Sequence, residues 1–451
     1  MHTIEQAAGA LRRGELSCVD LARRSLGRVE ALQPSLNAFI TVTRDAALAS
    51  AEALDRELRA GKDRGALHGI PLAIKDCFDT AGVRTTVGSR YFADRVPQAD
   101  AAAVERLIAA GAVIVGKTNL NELAAGTSGK NAFFGDVCNP WALERSPGGS
   151  SSGSAAAVAA GAVPAGIGTD CGGSIRLPAA CTGTVGLRPT LGLVPTRGAY
   201  PRCFAFDVAG PLAGRVRDCA LVLQAMADSP AEDYLAGIEA GAAGLRIGVV
   251  EGFSLHGVDP AIRLAMERAL EHFASLGAVV RQVSVPLLQR AAESTAFFDI
   301  LLFEFNRILG EAFRAVREPD KVFGAVVCDN VRRGARIAEA DYRRAMAERE
   351  ALAAAVRAAL RELDVLVTPA MPMPTPRRDA PAEHFDAQRR FMAPISMTGL
   401  PALVLPCGAA DALPLGMQLV AAPGAESLLF RIARAYEATT EWHTRRPKSQ
   451  P

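Results

Sequence analysis

The sequence predicts an α/β fold in which helices pack on a largely buried sheet, and three observations support this prediction. Helical and strand-like patterns alternate along the 451 residues, as they do in proteins that pack helices on a sheet. Hydrophobic residues make up 49% of the chain and charged residues 22%, which is enough to bury a large core. No internal repeat or low-complexity linker divides the chain, which favours a single large domain.

The predicted elements follow from local capping and periodicity. Ser17 and Asp20 form a capping box before a helix that is predicted to extend to about Leu32. Strands are predicted where apolar residues alternate or run together between turn residues. In chain order, the predicted strands are 37–43, 68–75, 112–115, 278–286, 364–368, 402–406 and 415–421, and the further helices are 44–60, 101–110, 154–160 and 260–277.

The one candidate domain boundary is the segment 228–243, where the periodic pattern is lost. Strand patterns on both sides of this segment are nevertheless suited to one sheet. We therefore predict one domain that spans 1–451, and we expect a variable insertion at about 288–390 to contribute to a substrate pocket.

The composition excludes several classes of protein. The formal net charge is +2 and no run of five like charges is present, so nucleic acid is not an expected partner. The N-terminus lacks an apolar segment, and the longest apolar stretch, 155–168, is mostly alanine and glycine and contains a proline. We therefore expect no membrane span and a cytoplasmic location. Nine scattered cysteines without a C-x-x-C pair predict free thiols.

Two short motifs match the sequence but lack the structural context that their chemistry needs. Residues 111–118 satisfy the phosphate-loop pattern, but a helical stretch precedes them and the residues between the glycines are strand-like. Residues 149–153 match the G-x-S-x-G elbow, which would make Ser151 the nucleophile. That elbow requires a strand immediately upstream, whereas 139–147 is predicted to be a loop with two prolines.

Two glycine-rich serine segments, 146–158 and 166–180, still indicate a serine nucleophile. No downstream histidine lies in a recognisable turn after a strand, so a lysine is the better candidate for the base. Such a lysine must be neutral, and burial favours the neutral form by lowering its pKa. Lys75 ends an apolar strand that would carry it into the interior, although a lone lysine at a strand end is also typical of the surface.

Together the motifs resemble the amidase signature family over most of the chain. The segments that carry the resemblance are HGIPLAIKD (68–76), GKTNLNELAAGTSGKN (116–131), SPGGSSSGSAAAVAAG to GTDCGGSIRLPAA (146–180), GLRPTLGLVP (186–195), AGPLAG (209–214), GLPALVLPCG and LGMQLVAAP. The resemblance implies a central mixed β-sheet covered by helices on both faces, with a signature core at about 60–220. Ser152 stands where the commoner pattern has glycine, and we expect this change to be tolerated.

The resemblance implies a catalytic role for three residues. Ser174 is the expected nucleophile, Ser150 is the expected proton relay in a cis peptide bond, and Lys75 is the expected general base. A turn without side chains can direct several backbone N–H groups at one oxygen, which is what an oxyanion hole requires. The expected donors of that hole are the backbone N–H groups of Cys171, Gly172, Gly173 and Ser174. The expected supporting residues are Ser151, Asp170 and Arg176.

A cysteine nucleophile at Cys171 is the rival hypothesis for this turn. The residue has no histidine paired with it in the sequence pattern, so we expect it to act through its backbone N–H alone.

The substrate is less defined by the sequence than the catalytic set. The expected contacts beside the nucleophile are Ala125, Gly126 and Thr127. The expected apolar pocket residues are Phe297, Phe298, Leu301, Leu302, Phe303, Phe305, Met371 and Met373. Such a pocket favours an apolar or aryl amide, with esters and carbamates as further candidates, and no arginine stands in an obvious position to bind a carboxylate.

Two other hypotheses stay open at this stage. The chain could be the glutaminase component of a tRNA-dependent amidotransferase, which would need glutamine and a partner subunit. It could also be a binding protein that has lost catalysis, but the intact Lys75, Ser150 and Ser174 disfavour this. We otherwise expect a small-molecule amide substrate, a monomer or homodimer, and neither a cofactor nor a metal, because no metal-ligand cluster or dinucleotide motif is present.

Overall fold

One mixed sheet organises the molecule. The computed structural model describes residues 3–228 and 233–448, and eleven strands within these ranges form the sheet. The strands are β1 (Phe39–Val42), β2 (Pro71–Lys75), β3 (Val113–Thr118), β4 (Ala165–Asp170), β5 (Val185–Arg188), β6 (Val208–Ala213), β7 (Arg246–Val250), β8 (Val279–Val283), β9 (Val365–Pro369), β10 (Ala402–Ala410) and β11 (Leu413–Val420). Their order across the sheet is β1-β3-β2-β4-β6-β5-β10-β11-β9-β7-β8.

Sixteen helices in the described ranges pack around this sheet. The helices are α1 (Ile4–Arg12), α2 (Cys18–Leu36), α3 (Arg44–Arg59), α4 (Ala102–Ala109), α5 (Ser152–Ala159), α6 (Arg176–Thr182), α7 (Val216–Met226), α8 (Pro260–Ser275), α9 (Pro286–Glu293), α10 (Ala296–Ala315), α11 (Pro319–Val322), α12 (Ala325–Gly334), α13 (Glu339–Ala359), α14 (Ala382–Ala387), α15 (Ala393–Thr398) and α16 (Glu426–Ala438).

The sheet is mixed, as predicted. Strand β2 pairs in parallel with β3 and β4, and β7 pairs in parallel with β8 and β9. The remaining pairings are antiparallel and include β10 with β5 and β11 with β9. These two pairings join the strands before the segment 228–243 to those after it, which confirms that both halves share one sheet.

Both faces of the sheet centre are covered. Successive side chains of a strand point to opposite faces, and every residue of β2, β4, β9 and β11 is buried. Helices such as α5 and α6 therefore pack on the strands that carry the site. Among the described residues, no helix combines the length and apolarity that crossing a bilayer requires.

The predicted element boundaries are close to those observed, and the differences have local causes. The capping box of Ser17 and Asp20 is present, but α2 continues beyond Leu32 to Leu36 before Asn37 adopts the left-handed conformation that ends it. Strand β2 begins at Pro71 rather than at His68, because residues 67–70 form a turn. The hairpin partners β10 and β11 are longer than predicted because they pair along most of their length.

The two rejected motifs lack the structural context that they would need. Helix α4 precedes Gly111, and β3 runs through the second glycine, the lysine and the threonine of the phosphate-loop pattern. No strand element lies in 139–147, directly before the G-x-S-x-G match. Neither a phosphate loop nor a hydrolase elbow is therefore formed.

Candidate active site

Parallel pairing of β2 and β4 brings the lysine and the nucleophile turn to the same edge of the sheet. Ile74 lies opposite Ile167 in this pairing, so the carboxyl ends of the two strands are neighbours. Lys75 is the last residue of β2, and β4 ends at Asp170, directly before the turn 171–175. The residues that end these strands can therefore act together although about 95 positions separate them.

Lys75 is completely buried, with none of its surface exposed. Its Nζ donates hydrogen bonds to Ser150 Oγ and Thr169 Oγ1, both at 2.8 Å. It takes part in no ion pair with any described residue, in contrast to most buried lysines. Burial lowers the pKa of Lys75, which favours the neutral amine that a general base requires. The alternative of a surface lysine is wrong.

Ser150 lies in a tight turn before α5. The peptide bond between Gly149 and Ser150 is cis, as the family resemblance implies, and Gly148 has φ 74°. A Cβ at Gly149 would lie 2.2 Å from Asn121 Oδ1, so a side chain there would collide with the neighbouring segment. The sequence places glycine where the backbone of this turn has no room for a side chain.

Ser174 lies beside this turn and is 5% exposed. Its carbonyl accepts a hydrogen bond from the Ser151 N–H at 3.1 Å, which ties the two serine segments together. Its Oγ makes no hydrogen bond to any described residue, so the predicted hydrogen bond from Ser174 to Ser150 is not formed in this structure. The observed half of the relay is the contact between Ser150 and Lys75.

Asp170 and Arg176 hold the nucleophile turn in place. Arg176 is completely buried, and its Nε and Nη2 donate to the two carboxylate oxygens of Asp170, each at 3.0 Å. Burial alone would raise the pKa of Asp170, but the charges of Arg176 and Arg188 outweigh it and keep the pKa below its usual range. The Asp170 carboxylate also accepts the N–H of Ile175 at 3.2 Å, which fixes the backbone on the far side of Ser174.

One expected oxyanion donor is already engaged. The Gly173 N–H donates to Asp170 Oδ1 at 2.8 Å, so the expectation that it points at a substrate oxygen is wrong for this structure. The N–H groups of Cys171, Gly172 and Ser174 make no hydrogen bond to any described residue. Space also requires glycine here, because a Cβ at Gly172 would lie 2.4 Å from Phe297 Cζ.

The two rival nucleophiles are poorly placed. Ser151 Oγ donates to the Thr169 carbonyl at 3.2 Å, the residue is fully buried, and it does not line the cavity described below. Its hydroxyl therefore supports the turn. Burial raises the pKa of the Cys171 thiol, which disfavours the thiolate that a cysteine nucleophile needs.

A cavity of about 590 Å³ opens in front of Ser174. Its wall near the nucleophile includes Gly126 and Thr127, as expected, but Ala125 does not line it. The predicted residues that form its apolar wall are Phe297, Phe298, Leu301 and Leu302. Four other predicted pocket residues do not line it, namely Phe303, Phe305, Met371 and Met373.

Sequence reasoning missed several residues of the site. Thr169 is the second partner of Lys75, and Arg202 and Arg389 line the cavity. The expectation that no arginine is placed for a carboxylate is therefore wrong. Thr169 could have been suspected from its place at the end of the strand before the nucleophile turn, whereas nothing local marks the two arginines.

The site contains no cluster that suggests a metal. Among residues 3–228 and 233–448, no group of three or more His, Cys, Asp and Glu side chains could hold a metal ion.

Comparisons with known proteins agree with this geometry. The family model described as Amidase matches residues 20–430. The glutamyl-tRNA(Gln) amidotransferase A-type chain of Roseiflexus sp. (strain RS-1) is 39% identical over 99% of this chain and 98% of that protein. Among solved structures, native peptide amidase from Stenotrophomonas maltophilia superposes with a TM-score of 0.85 at 34% identity, covering 99% of this chain and 98% of its own.

A second solved structure comes from the other functional branch. The glutamyl-tRNA(Gln) amidotransferase A-type chain of Thermotoga maritima gives a TM-score of 0.83 at 31% identity and covers 97% of this chain and 95% of its own. The fold, the site and these likenesses define a hydrolase that acts on amide bonds. The chain belongs to the amidase signature family.

Proposed function

We propose that this protein hydrolyses a carbon–nitrogen amide bond through an acyl-enzyme on Ser174, with Ser150 as the relay and Lys75 as the base. The observation that carries the proposal is the fully buried Lys75, which contacts a hydroxyl rather than a carboxylate beside the nucleophile turn. A buried lysine without a counter-charge is costly unless it is neutral, and a neutral lysine accepts protons.

The first half of the reaction forms the acyl-enzyme. Rotation of the Ser174 side chain brings its Oγ to Ser150, and the neutral Lys75 accepts a proton from Ser150 as Ser150 accepts one from Ser174. The Ser174 Oγ forms a bond to the carbonyl carbon, and the carbonyl oxygen becomes an oxyanion. The proton on Lys75 then returns through Ser150 to the leaving nitrogen, the C–N bond breaks, and a neutral amine departs.

The second half regenerates the enzyme. Water loses a proton to the relay and attacks the ester carbon, and the Ser174 oxygen leaves with that proton, so one amide and one water give one acid and one amine. The N–H groups of Cys171, Gly172 and Ser174 are suited to stabilise the oxyanion, and losing one such donor typically costs about 10²–10³ in rate.

Two substrate classes follow from different observations. The apolar wall at Phe297, Phe298, Leu301 and Leu302 supports a small apolar or aryl amide, with esters and carbamates as related substrates. The relatives named as components of glutamyl-tRNA(Gln) amidotransferase support glutamine instead, with partner subunits that complete the enzyme. The similarity to these relatives extends over nearly the whole chain, so it favours glutamine over the apolar amide.

A fluorophosphonate probe tests the nucleophile without knowledge of the substrate. The purified protein, Ser174→Ala, Lys75→Ala and the matched control Ser151→Ala are labelled and read by intact mass and peptide mapping. We expect one adduct on Ser174, absent from Ser174→Ala, greatly slowed in Lys75→Ala and retained in Ser151→Ala. An adduct on Ser151, or none at all, would show the mechanism to be wrong.

Ammonia release then separates the substrate classes. The protein alone and the protein mixed with the other subunits of a bacterial amidotransferase are assayed with glutamine and with a panel of aryl amides. Glutaminase activity that requires the partner subunits would establish the amidotransferase hypothesis. Turnover of aryl amides by the protein alone would establish a free-standing amidase.

A further inference from the structure

A buried arginine in the wall of the catalytic cavity has no partner within the protein. Arg202 is 5% exposed, and its guanidinium forms neither a hydrogen bond nor an ion pair with any described residue. Its Nη1 is fully buried without an acceptor. The guanidinium lies over the Phe305 ring, 3.6 Å from the ring centroid, so one face is stacked while the N–H edge is left without acceptors.

A second arginine lines the same cavity. Arg389, in the 3-10 turn 388–391, is half-buried, and its Nε is a buried donor without an acceptor. Its side chain likewise makes no hydrogen bond to any residue in the described ranges. Both arginines lie close enough to interact, since the charge of Arg389 lowers the pKa of Arg202 after the larger effect of burial.

The acids near Arg202 do not neutralise it. Asp207 is the nearest carboxylate in the chain, but its Oδ2 accepts the backbone N–H groups of Arg202 and Cys203 at 2.6 and 3.0 Å and not the guanidinium. In the cavity wall, Asp329 is already paired with Arg333 at 3.4 Å. Asp386 is exposed and forms no ion pair with a described residue.

The cavity wall therefore carries an excess of positive charge. Four basic side chains line it, namely Lys130, Arg202, Arg333 and Arg389, against the two acids Asp329 and Asp386. Lys130 lies over the Phe385 ring, 5.6 Å from its centroid. An unpaired guanidinium that is shielded from water is costly unless an anion reaches it.

We infer that the amide substrate carries a carboxylate, which Arg202 and Arg389 bind while Ser174 attacks the amide. This inference rests on the proposed hydrolysis and adds the substrate class to it. Planar guanidinium groups donate to both oxygens of a carboxylate, which fixes the direction of the ligand as well as its charge. The carboxylate takes no part in bond making or breaking, and its role is to position the scissile bond.

Paired substrates that differ only in the carboxylate test the inference. Glutaramate, the monoamide of pentanedioic acid, is compared with pentanamide, so that the charge lies on the acyl side. N-benzoylglycine is compared with N-propylbenzamide, so that the charge lies on the amine side. Glutamine, which carries both an α-carboxylate and an α-amino group, is assayed beside them.

Three variants identify the arginines. In Arg202→Met and Arg389→Gln, we expect the ratio of kcat/KM for the charged amide to that for its neutral partner to fall about 30-fold or more, as when one member of a buried charge pair is removed. Most of the change is expected in KM. Arg202→Lys keeps the charge and is expected to recover part of the preference. Arg390→Gln is the matched control, because Arg390 donates to the Gly257 carbonyl at 3.0 Å and does not line the cavity.

A binding readout covers the case in which none of these amides is turned over. Glutaramate and pentanamide are each tested for protection of Ser174 against the fluorophosphonate. Stronger protection by glutaramate, lost in Arg202→Met but not in Arg390→Gln, supports the inference. Equal turnover and equal protection by charged and neutral amides, with Ser174 still labelled, would overturn it and leave the proposed hydrolysis intact. Absence of labelling at Ser174 would instead count against the proposed hydrolysis itself.

Discussion

Two buried lysines at the ends of neighbouring strands have opposite surroundings. Lys75 ends β2 and Lys117 lies one residue before the end of the parallel strand β3, and neither has any exposed surface. Lys117 is 3.3 Å from Asp76 and donates to the Phe78 carbonyl at 2.7 Å. Lys75 contacts only hydroxyl groups, those of Ser150 and Thr169.

The difference shows that burial alone does not distinguish a structural lysine from a catalytic one. Burial lowers the pKa of both side chains. At Lys117 the adjacent charge of Asp76 opposes that effect and stabilises the ammonium, whereas at Lys75 no carboxylate is close enough to form an ion pair with it. We therefore assign Lys117 to the packing of the sheet and Lys75 to proton transfer.

The largest effect is expected at Lys75. Lys75→Met should lower kcat/KM for any amide substrate by about 10²–10⁴, the usual contribution of a general base, because Ser150 then has no proton acceptor. Fluorophosphonate labelling of Ser174 should slow in parallel. The urea midpoint should change little, since methionine fills the same space without a charge. Retention of full labelling would show that Lys75 is not the base.

A loss of stability is expected at Lys117. Lys117→Met leaves the buried Asp76 without its cation and should lower the free energy of unfolding by about 3–5 kcal/mol, measured by urea denaturation. The double variant with Asp76→Asn removes both charges and should recover much of this loss. If Lys117→Met abolished labelling while stability was kept, the contrast between the two lysines would be wrong.

The pH dependence sharpens the contrast further. Because only neutral Lys75 accepts a proton, kcat/KM should fall about tenfold per pH unit below the pKa of Lys75, and an acid limb of this slope is the expected profile. The pKa of Lys75 is lower in the folded protein than the value of about 10.4 in an unfolded chain, so the unfolded state binds more protons between the two values. Stability should therefore decrease as the pH falls through that window, and Lys75→Met should lack this part of the slope. A profile without an acid limb would exclude a titrating lysine base.

The smallest effect is expected at Ser152. Its hydroxyl makes only a long contact of 3.4 Å with the Ser150 carbonyl and does not touch Lys75. Ser152→Gly should therefore leave amide hydrolysis unchanged and alter the free energy of unfolding by less than about 0.5 kcal/mol. A loss of activity comparable to that of Lys75→Met would mean that Ser152 belongs to the relay.

The catalytic core could be predicted further than the pocket because its pattern is local. Lys75, Ser150 and Ser174 each stand in a short segment whose glycines and strand ending identify it, and Asp170 and Arg176 flank the same turn. The use of the Gly173 N–H could not be predicted, because it depends on where the Asp170 carboxylate lies. Arg202 and Arg389 were missed because their segments are brought to the cavity from distant parts of the chain.

The sequence by itself determined the α/β class, the mixed sheet through the family resemblance, and the identities of nucleophile, relay and base. Periodicity, capping and glycine-rich turns are properties of neighbouring residues, so they can be recognised without the fold. Only the tertiary structure decided that Lys75 lacks a carboxylate partner, that Thr169 contacts it, and that two arginines line the cavity unpaired. Desolvation and charge pairing depend on which distant segments meet, and the register of β2 against β4 and the packing of the later helices set those contacts.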